Sequence, residues 1–137
     1  MAGDLVVGFD GTPGARAAAA EALRLAKPLD ARVVFGFAYW TNPAGGDAGD
    51  MLTTLRELGE AHIAEAKQLA EDAGVPSRSE LVNDRPSTGL VQIADDVDAH
   101  MIVVGTYGET PLKGALVGST AHKLLHLSER PVLVVRA

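Results

Sequence analysis

Two hydrophobic patterns alternate along this chain. Short runs of consecutive apolar residues, rich in Val, Leu, Ile and Phe, are separated by longer segments whose apolar residues recur at helical spacing. The apolar runs predict five buried strands, at residues 5–9, 32–39, 80–83, 101–104 and 131–136. The segments between them predict four helices, at residues 14–27, 51–73, 86–97 and 121–127.

Small polar residues, prolines and glycines mark the ends of the predicted helices. Thr12 is suited to cap the first helix, and Pro13 fits its first position, where a missing backbone N–H costs nothing. Pro28 is expected to stop that helix. Gly74 stands where helices commonly take a left-handed cap, and Pro76 prevents the second helix from continuing.

Alternating strands and helices, with strands that are apolar on both faces, predict an α/β fold. We expect a single domain over residues 1–137, built as a five-stranded parallel, open, twisted sheet with helices on both faces. Each crossover should be right-handed. If the strand order is 3-2-1-4-5, the first and fourth strands are neighbours where the order reverses, which is where such sheets bind ligands.

Composition narrows the classes of function. The 137 residues are 47% hydrophobic and 22% charged, as in an ordinary globular domain. The net charge of −6, without a basic stripe, argues against nucleic acids and anionic membranes as partners. The absence of cysteine excludes disulfides and thiolate metal ligands. No run approaches about 18 apolar residues and the first residues are not basic, so we expect a cytoplasmic protein.

The loop at residues 105–120 is the strongest candidate for chemistry. Gly105, Gly108 and Gly118 frame it, and Ser119 and Thr120 add hydroxyl groups where the next helix begins. Glycines between a buried strand and a helix let backbone N–H groups approach an anion, so the loop is predicted to hold the phosphates of a nucleotide. Its Gly-x2-Gly-x9-Gly-Ser spacing matches neither the P-loop motif nor the dinucleotide fingerprint.

The turn after the first strand should lie beside this loop. Asp10 offers a carboxylate that can accept hydrogen bonds from the hydroxyl pair of a ribose. It could instead serve only to cap the turn or the first helix. Phe37 and Ala38, at the end of the second strand, could supply an apolar wall and backbone hydrogen bonds for a base.

These features together resemble a known family. The glycine spacing follows a hydrophobic strand and precedes a helix and a Pro-Val-Leu-Val-Val strand, and this strongly resembles the ATP-binding class of the universal stress protein family. The resemblance runs from residues 5–11, through the approach at residues 98–106, to residues 131–136. In that family, the counterpart of Asp10 contacts ribose, the end of the second strand meets adenine, and the glycine loop with its serine binds phosphates.

The resemblance implies an ATP site and a homodimer that forms through the C-terminal strand. We expect Mg²⁺ to accompany the triphosphate, because its anionic charge near Asp10 otherwise goes uncompensated. A short apolar edge strand is also suited on general grounds to pair with another strand. The residues expected to bind ATP are Phe9, Asp10, Gly11, Phe37, Ala38, Val104, Gly105, Tyr107, Gly108, Gly118, Ser119 and Thr120.

Two classes of function fit these residues. The favoured one is a regulatory, stress-response protein that binds ATP and hydrolyses it slowly at most, because no clear catalytic base stands near the inferred phosphates. The alternative is a small hydrolase or transferase that acts on an adenine nucleotide. A phosphoacceptor domain is disfavoured because it needs an acidic pair after the first strand, where Asp10 stands alone.

Other polar residues have simpler interpretations. Lys113 can reach a phosphate as a point charge, although a solvated loop lysine is favoured. His122 and His126 are four residues apart on a helix, which can suit zinc, but no third ligand is evident and surface or partly buried histidines are favoured. The second helix has an apolar stripe predicted to face the sheet, with a histidine at the edge of the core. Its members are Leu55, Leu58, His62, Ala66, Leu69 and Ala73.

Overall fold

The computed structural model of the chain describes residues 3–40, 48–106 and 117–137. Strands and helices alternate along it as the hydrophobic pattern predicts. The strands are β1 (Leu5–Gly8), β2 (Val33–Tyr39), β3 (Ser77–Asn83), β4 (Met101–Gly105) and β5 (Val132–Val135). The helices are α1 (Pro13–Leu29), α2 (Ala48–Ala73), α3 (Pro86–Asp96) and α4 (Ser119–Leu127). None of these described helices is long and apolar enough to cross a membrane.

The five strands form one parallel sheet in the order β3-β2-β1-β4-β5. Leu5 of β1 is in register with Val33 of β2 on one side and with Met101 of β4 on the other. The predicted fold class and strand order are therefore confirmed. The order reverses between β1 and β4, so the crevice typical of open α/β sheets opens beyond their carboxyl ends.

Helices cover both faces of the sheet. Leu5 and Val7 of β1 are buried against α1 and α2 in one cluster, whereas Val6 is buried with α3 and α4 in a second cluster. Alternate residues of a strand point to opposite faces, so a strand buried on both sides must be apolar throughout. This explains why the strand signal is a continuous apolar run rather than an alternation.

The end of α1 differs from the prediction. Pro28 does not stop the helix, which continues to Leu29. Asp30 then takes a left-handed conformation with φ of 51°, and its N–H bonds to carbonyls of the last turn. A proline in the last turn removes one intrahelical hydrogen bond, and the bonds that the Asp30 N–H makes at the cap support the end of the helix.

The buried stripe of α2 also differs from the prediction. Leu58 was placed on the face toward the sheet, but 44% of its surface is exposed. Gly59 is buried in its place, next to Phe37 and Leu81. The helix lies too close to β2 and β3 at this point for a large side chain. β3 also begins at Ser77, three residues earlier than predicted, because its polar first half pairs with β2.

The carboxyl end of β4 lies against the first turn of α1. A Cβ atom on Gly105 would be 2.5 Å from the carbonyl carbon of Gly14 and 2.6 Å from its oxygen. Both are backbone atoms, which cannot move aside as a side chain can. This contact brings the start of α1 close to the carboxyl end of β4, at one end of the sheet.

Replacing Gly105 by alanine should therefore destabilise the protein. We expect Gly105→Ala to lower the free energy of unfolding by about 1–3 kcal/mol, the usual cost of overpacking, as measured by urea denaturation. Gly49→Ala is the matched control, since a Cβ there meets nothing within 4 Å, and it should leave stability unchanged or slightly raised. Equal unfolding midpoints for Gly105→Ala and the wild type would contradict the close contact.

Candidate functional site

A cleft opens at the carboxyl ends of β1, β2 and β4, between the first turns of α1, α3 and α4. Its position is the one that the reversal of strand order predicts. Seven of the twelve residues predicted to bind the nucleotide line it: Phe9, Asp10, Phe37, Ala38, Val104, Gly105 and Thr120.

The remaining predicted residues lie beside the cleft or cannot be placed. Gly11 follows Asp10 in the same turn and has a positive φ of 78°. Gly118 caps the start of α4, and its N–H donates to the carbonyl of Thr106 just after β4. Ser119 is the exposed first residue of α4. The predictions for Tyr107, Gly108 and Lys113 fall outside the described residues.

The helix that follows β3 supplies lining residues that the sequence reading missed. Pro86 begins α3 and Leu90 lies one turn further along, and both face the cleft. Thr12 and Ala15 of the first turn of α1 line it too. The sequence does predict where α3 begins, because a helix that follows β3 must start at the same end of the parallel sheet as the carboxyl ends of β1 and β4.

The Asp10 carboxylate is held by its own turn. Its Oδ1 accepts hydrogen bonds from the backbone N–H of Thr12 at 3.1 Å and from the Thr12 hydroxyl. The Thr12 hydroxyl oxygen in turn accepts from the N–H of Ala15, which makes Thr12 the N-cap of α1 as predicted. Asp10 thus stabilises the turn through one oxygen. No donor from the described residues takes its Oδ2.

One carboxylate and the positive ends of three helices determine the electrostatic character of the cleft. Asp10 is the one titratable group among the described residues that line it. The first turns of α1, α3 and α4 face the cleft, and the N-terminal end of a helix carries partial positive charge. Outside it, Arg16 donates to Glu65 at 2.7 Å, and this hydrogen bond lowers the pKa of the Glu65 carboxyl.

One wall of the cleft is apolar. Phe37, Ala38, Pro86, Leu90 and Val104 present carbon surfaces from β2, α3 and β4. A planar, largely apolar ring can be buried between such surfaces, while polar atoms at its edge can reach backbone groups of the strand ends. The arrangement therefore combines an apolar wall, an oriented carboxylate and helix N-termini.

The histidine pair of α4 lies on the surface. His122 and His126 are exposed, with ring centroids 5.0 Å apart in an edge-to-face contact. Within residues 3–40, 48–106 and 117–137, no group of three or more His, Cys, Asp or Glu side chains is placed to hold a metal ion. The described histidines therefore form no three-ligand site of the kind that zinc enzymes use.

The matching family model and the curated relatives point to the same protein family. The model of the universal stress protein family matches residues 1–136. The universal stress protein MJ0531 of Methanocaldococcus jannaschii is 31% identical over 137 residues, which cover 96% of this chain and 81% of the relative.

Solved structures show the same architecture. A universal stress protein in complex with cAMP is 29% identical, with a TM-score of 0.79 and an alignment that covers 98% of both chains. The protein MJ0577 of M. jannaschii is 23% identical, with a TM-score of 0.88 and coverage of 100% of this chain and 97% of the other. At 23% identity, the likeness to MJ0577 shows a shared fold alone.

The Thr12 hydroxyl both caps α1 and donates to Asp10, and the contribution of these two hydrogen bonds can be tested by measuring the free energy of unfolding. Thr12→Ala removes the helix cap and one hydrogen bond to Asp10, so it should lower the free energy of unfolding by about 1 kcal/mol. Thr53→Ala is the control, because the Thr53 hydroxyl only donates to the carbonyl of Gly49 on an exposed helix face. Urea denaturation of both variants makes the comparison. Equal losses in the two would show that the cap contributes nothing.

Proposed function

The chain belongs to the universal stress protein family, and we propose that its cleft binds an adenine nucleotide. ATP, accompanied by Mg²⁺, is the ligand we propose. The observation that carries the proposal is the combination in one cleft of an apolar wall, the oriented Asp10 carboxylate and the start of α4. These suit, in turn, a base, a ribose and phosphates.

Each part of a nucleotide has a complementary surface. The adenine ring would lie against the apolar wall at Phe37 and Ala38. The ribose hydroxyls would donate to Asp10 Oδ2, because Oδ1 already accepts from Thr12. The phosphates would lie at the start of α4, where Gly118 and Thr120 stand and free backbone N–H groups favour anions.

A solved relative supports the choice of ligand. The universal stress protein that is 29% identical to this chain was solved with cAMP, which contains an adenine, a ribose and one phosphate. ATP carries two further phosphates. Mg²⁺ would then be coordinated chiefly by phosphate oxygens and water, as it commonly is, since Asp10 is the sole described carboxylate in the cleft.

The cleft favours binding over fast turnover. Rapid phosphoryl transfer needs a residue that positions or deprotonates the attacking group. Among the described lining residues only Asp10 has an acidic or basic side chain, and one of its oxygens accepts hydrogen bonds from Thr12. We therefore propose a cytoplasmic regulatory protein whose nucleotide occupancy is the signal and whose ATP hydrolysis is slow at most.

Nucleotide binding is tested directly on the purified protein. Mass spectrometry after gentle purification should show a co-bound adenine nucleotide, and calorimetric titration with ATP and Mg²⁺ should give saturable binding. Gly118→Val should abolish measurable binding, because a branched side chain would stand at the buried start of α4 where a phosphate approaches.

Gly49→Val is the matched control for that variant. It adds the same side chain at an exposed position of α2 with open space around it, so its affinity for ATP should equal that of the wild type. Absence of wild-type binding would overturn the proposal. Unchanged affinity in Gly118→Val would contradict the assignment of phosphates to the start of α4.

A homodimer through β5 is part of the same proposal. β5 lies at the edge of the sheet. Ile102 N–H donates to the carbonyl of Pro131, and Thr106 N–H donates to that of Val135. Since successive residues point their backbone groups to opposite sides, Val134 presents its N–H outward. The neighbouring α4 adds apolar surface that is more than half exposed, at Leu125 and Leu127.

The dimer is tested by its mass in solution. At micromolar concentration the wild type should sediment at twice the 14.2 kDa of one chain. Val134→Pro removes an outward N–H, a change that edge strands tolerate, so this variant should sediment as a folded monomer. Circular dichroism checks the fold. A wild type that sediments as a single chain would disprove the dimer.

A further inference from the structure

A histidine of α2 lies directly behind the turn that carries Asp10. His62 does not line the cleft, yet its half-buried ring touches the residues that do. The sequence reading placed it at the edge of the core. Its neighbours give it a more specific role, and this inference rests on the proposed function.

The imidazole occupies the space that Gly11 leaves open. Gly11 has a φ of 78°, a conformation that glycine adopts without strain. A Cβ atom built there would overlap the Cε1 and Nδ1 atoms of the His62 imidazole. The ring therefore packs on the backbone of the residue that follows Asp10. A displacement of the turn toward α2 would therefore push its backbone against the ring.

The same ring contacts both phenylalanines of the cleft. Its centroid is 6.5 Å from that of Phe9 in an edge-to-face arrangement, and 5.8 Å from that of Phe37 in a tilted one. Aromatic rings at these separations attract one another and prefer such non-parallel geometries. His62 thus joins the end of β1, the end of β2 and the Asp10 turn from one side.

An ion pair and a close packing contact flank His62 on α2. Glu65 lies one turn after His62 and accepts a hydrogen bond from Arg16 of α1 at 2.7 Å. One turn before His62, Gly59 lies against Phe37. These contacts flank His62 on either side and are consistent with the register in which α2 presents His62 to Gly11.

We propose that His62 is a positioning residue that holds the Asp10 carboxylate toward the ribose. The hydrogen bonds from Thr12 fix the carboxylate relative to its own turn, and His62 fixes the turn relative to the sheet. Removal of the ring leaves a void behind Gly11 into which the turn can move. Such movement would weaken the contact with the ribose hydroxyls, whereas any change at Phe37, which the ring also contacts, would affect ligands with and without these hydroxyls alike.

The test compares AMP with 2′,3′-dideoxy-AMP, which lacks both ribose hydroxyls. By calorimetry, the wild type should bind AMP about tenfold more tightly, as a hydrogen bond to a carboxylate predicts. His62→Ala should reduce this ratio to about twofold or less, whereas His62→Phe, which keeps a flat ring, should restore it. In Asp10→Ala the ratio should be near one, and adding His62→Ala should not change it further, which shows that the two residues act together.

Leu69→Ala is the control for a loss of stability. Leu69 packs partly buried on the same core, two turns further along α2. That variant should lower the melting temperature yet keep the tenfold ratio. A His62→Ala protein that keeps the wild-type ratio would overturn the positioning role alone, provided that the wild type discriminates. A wild type that binds neither ligand would overturn the proposed function and this inference with it.

Discussion

The fold depends on the position of β1 between β2 and β4 in a parallel sheet. The chain leaves β1 toward one face, where α1 packs, and α4, which follows β4, packs on the other. Two neighbouring strands whose following helices diverge must leave a crevice between them. The cleft is therefore a consequence of strand order, and the side chains at its edge decide what it can hold.

The Asp10 turn shows how local hydrogen bonds prepare such a cleft. A single Thr12 hydroxyl donates to the carboxylate and accepts from the first turn of α1, so the helix cap and the carboxylate orientation are linked. The sequence reading treated capping and ligand binding by Asp10 as alternatives. In the structure one carboxylate oxygen serves the turn and the other accepts no hydrogen bond from the described residues, so the two roles are compatible.

Much of this arrangement could be read from the sequence. Strand and helix types follow from the period of apolar residues, and the parallel sheet follows from their alternation. The pairing of Asp10 with Val104 and Gly105 followed from the strand order. The errors were local ones. Pro28 lies within α1 and does not end it, and Leu58 is exposed although the sequence predicts it to be buried. The second error arises because periodicity does not reveal how closely a helix approaches its sheet.

The sequence by itself determined the fold class, the order of elements and the edge of the sheet where the cleft opens, since these follow from hydrophobic spacing and from the geometry of parallel strands. The strand order predicts where α3 begins, but only the tertiary structure shows that Leu90 lines the cleft and that His62 of α2 lies behind Gly11. These contacts join residues that are distant in the sequence, such as Gly11 and His62, which are about fifty positions apart. Such contacts depend on the distance and rotation at which each helix packs on the sheet, as the close approach of α2 at Gly59 to Phe37 shows.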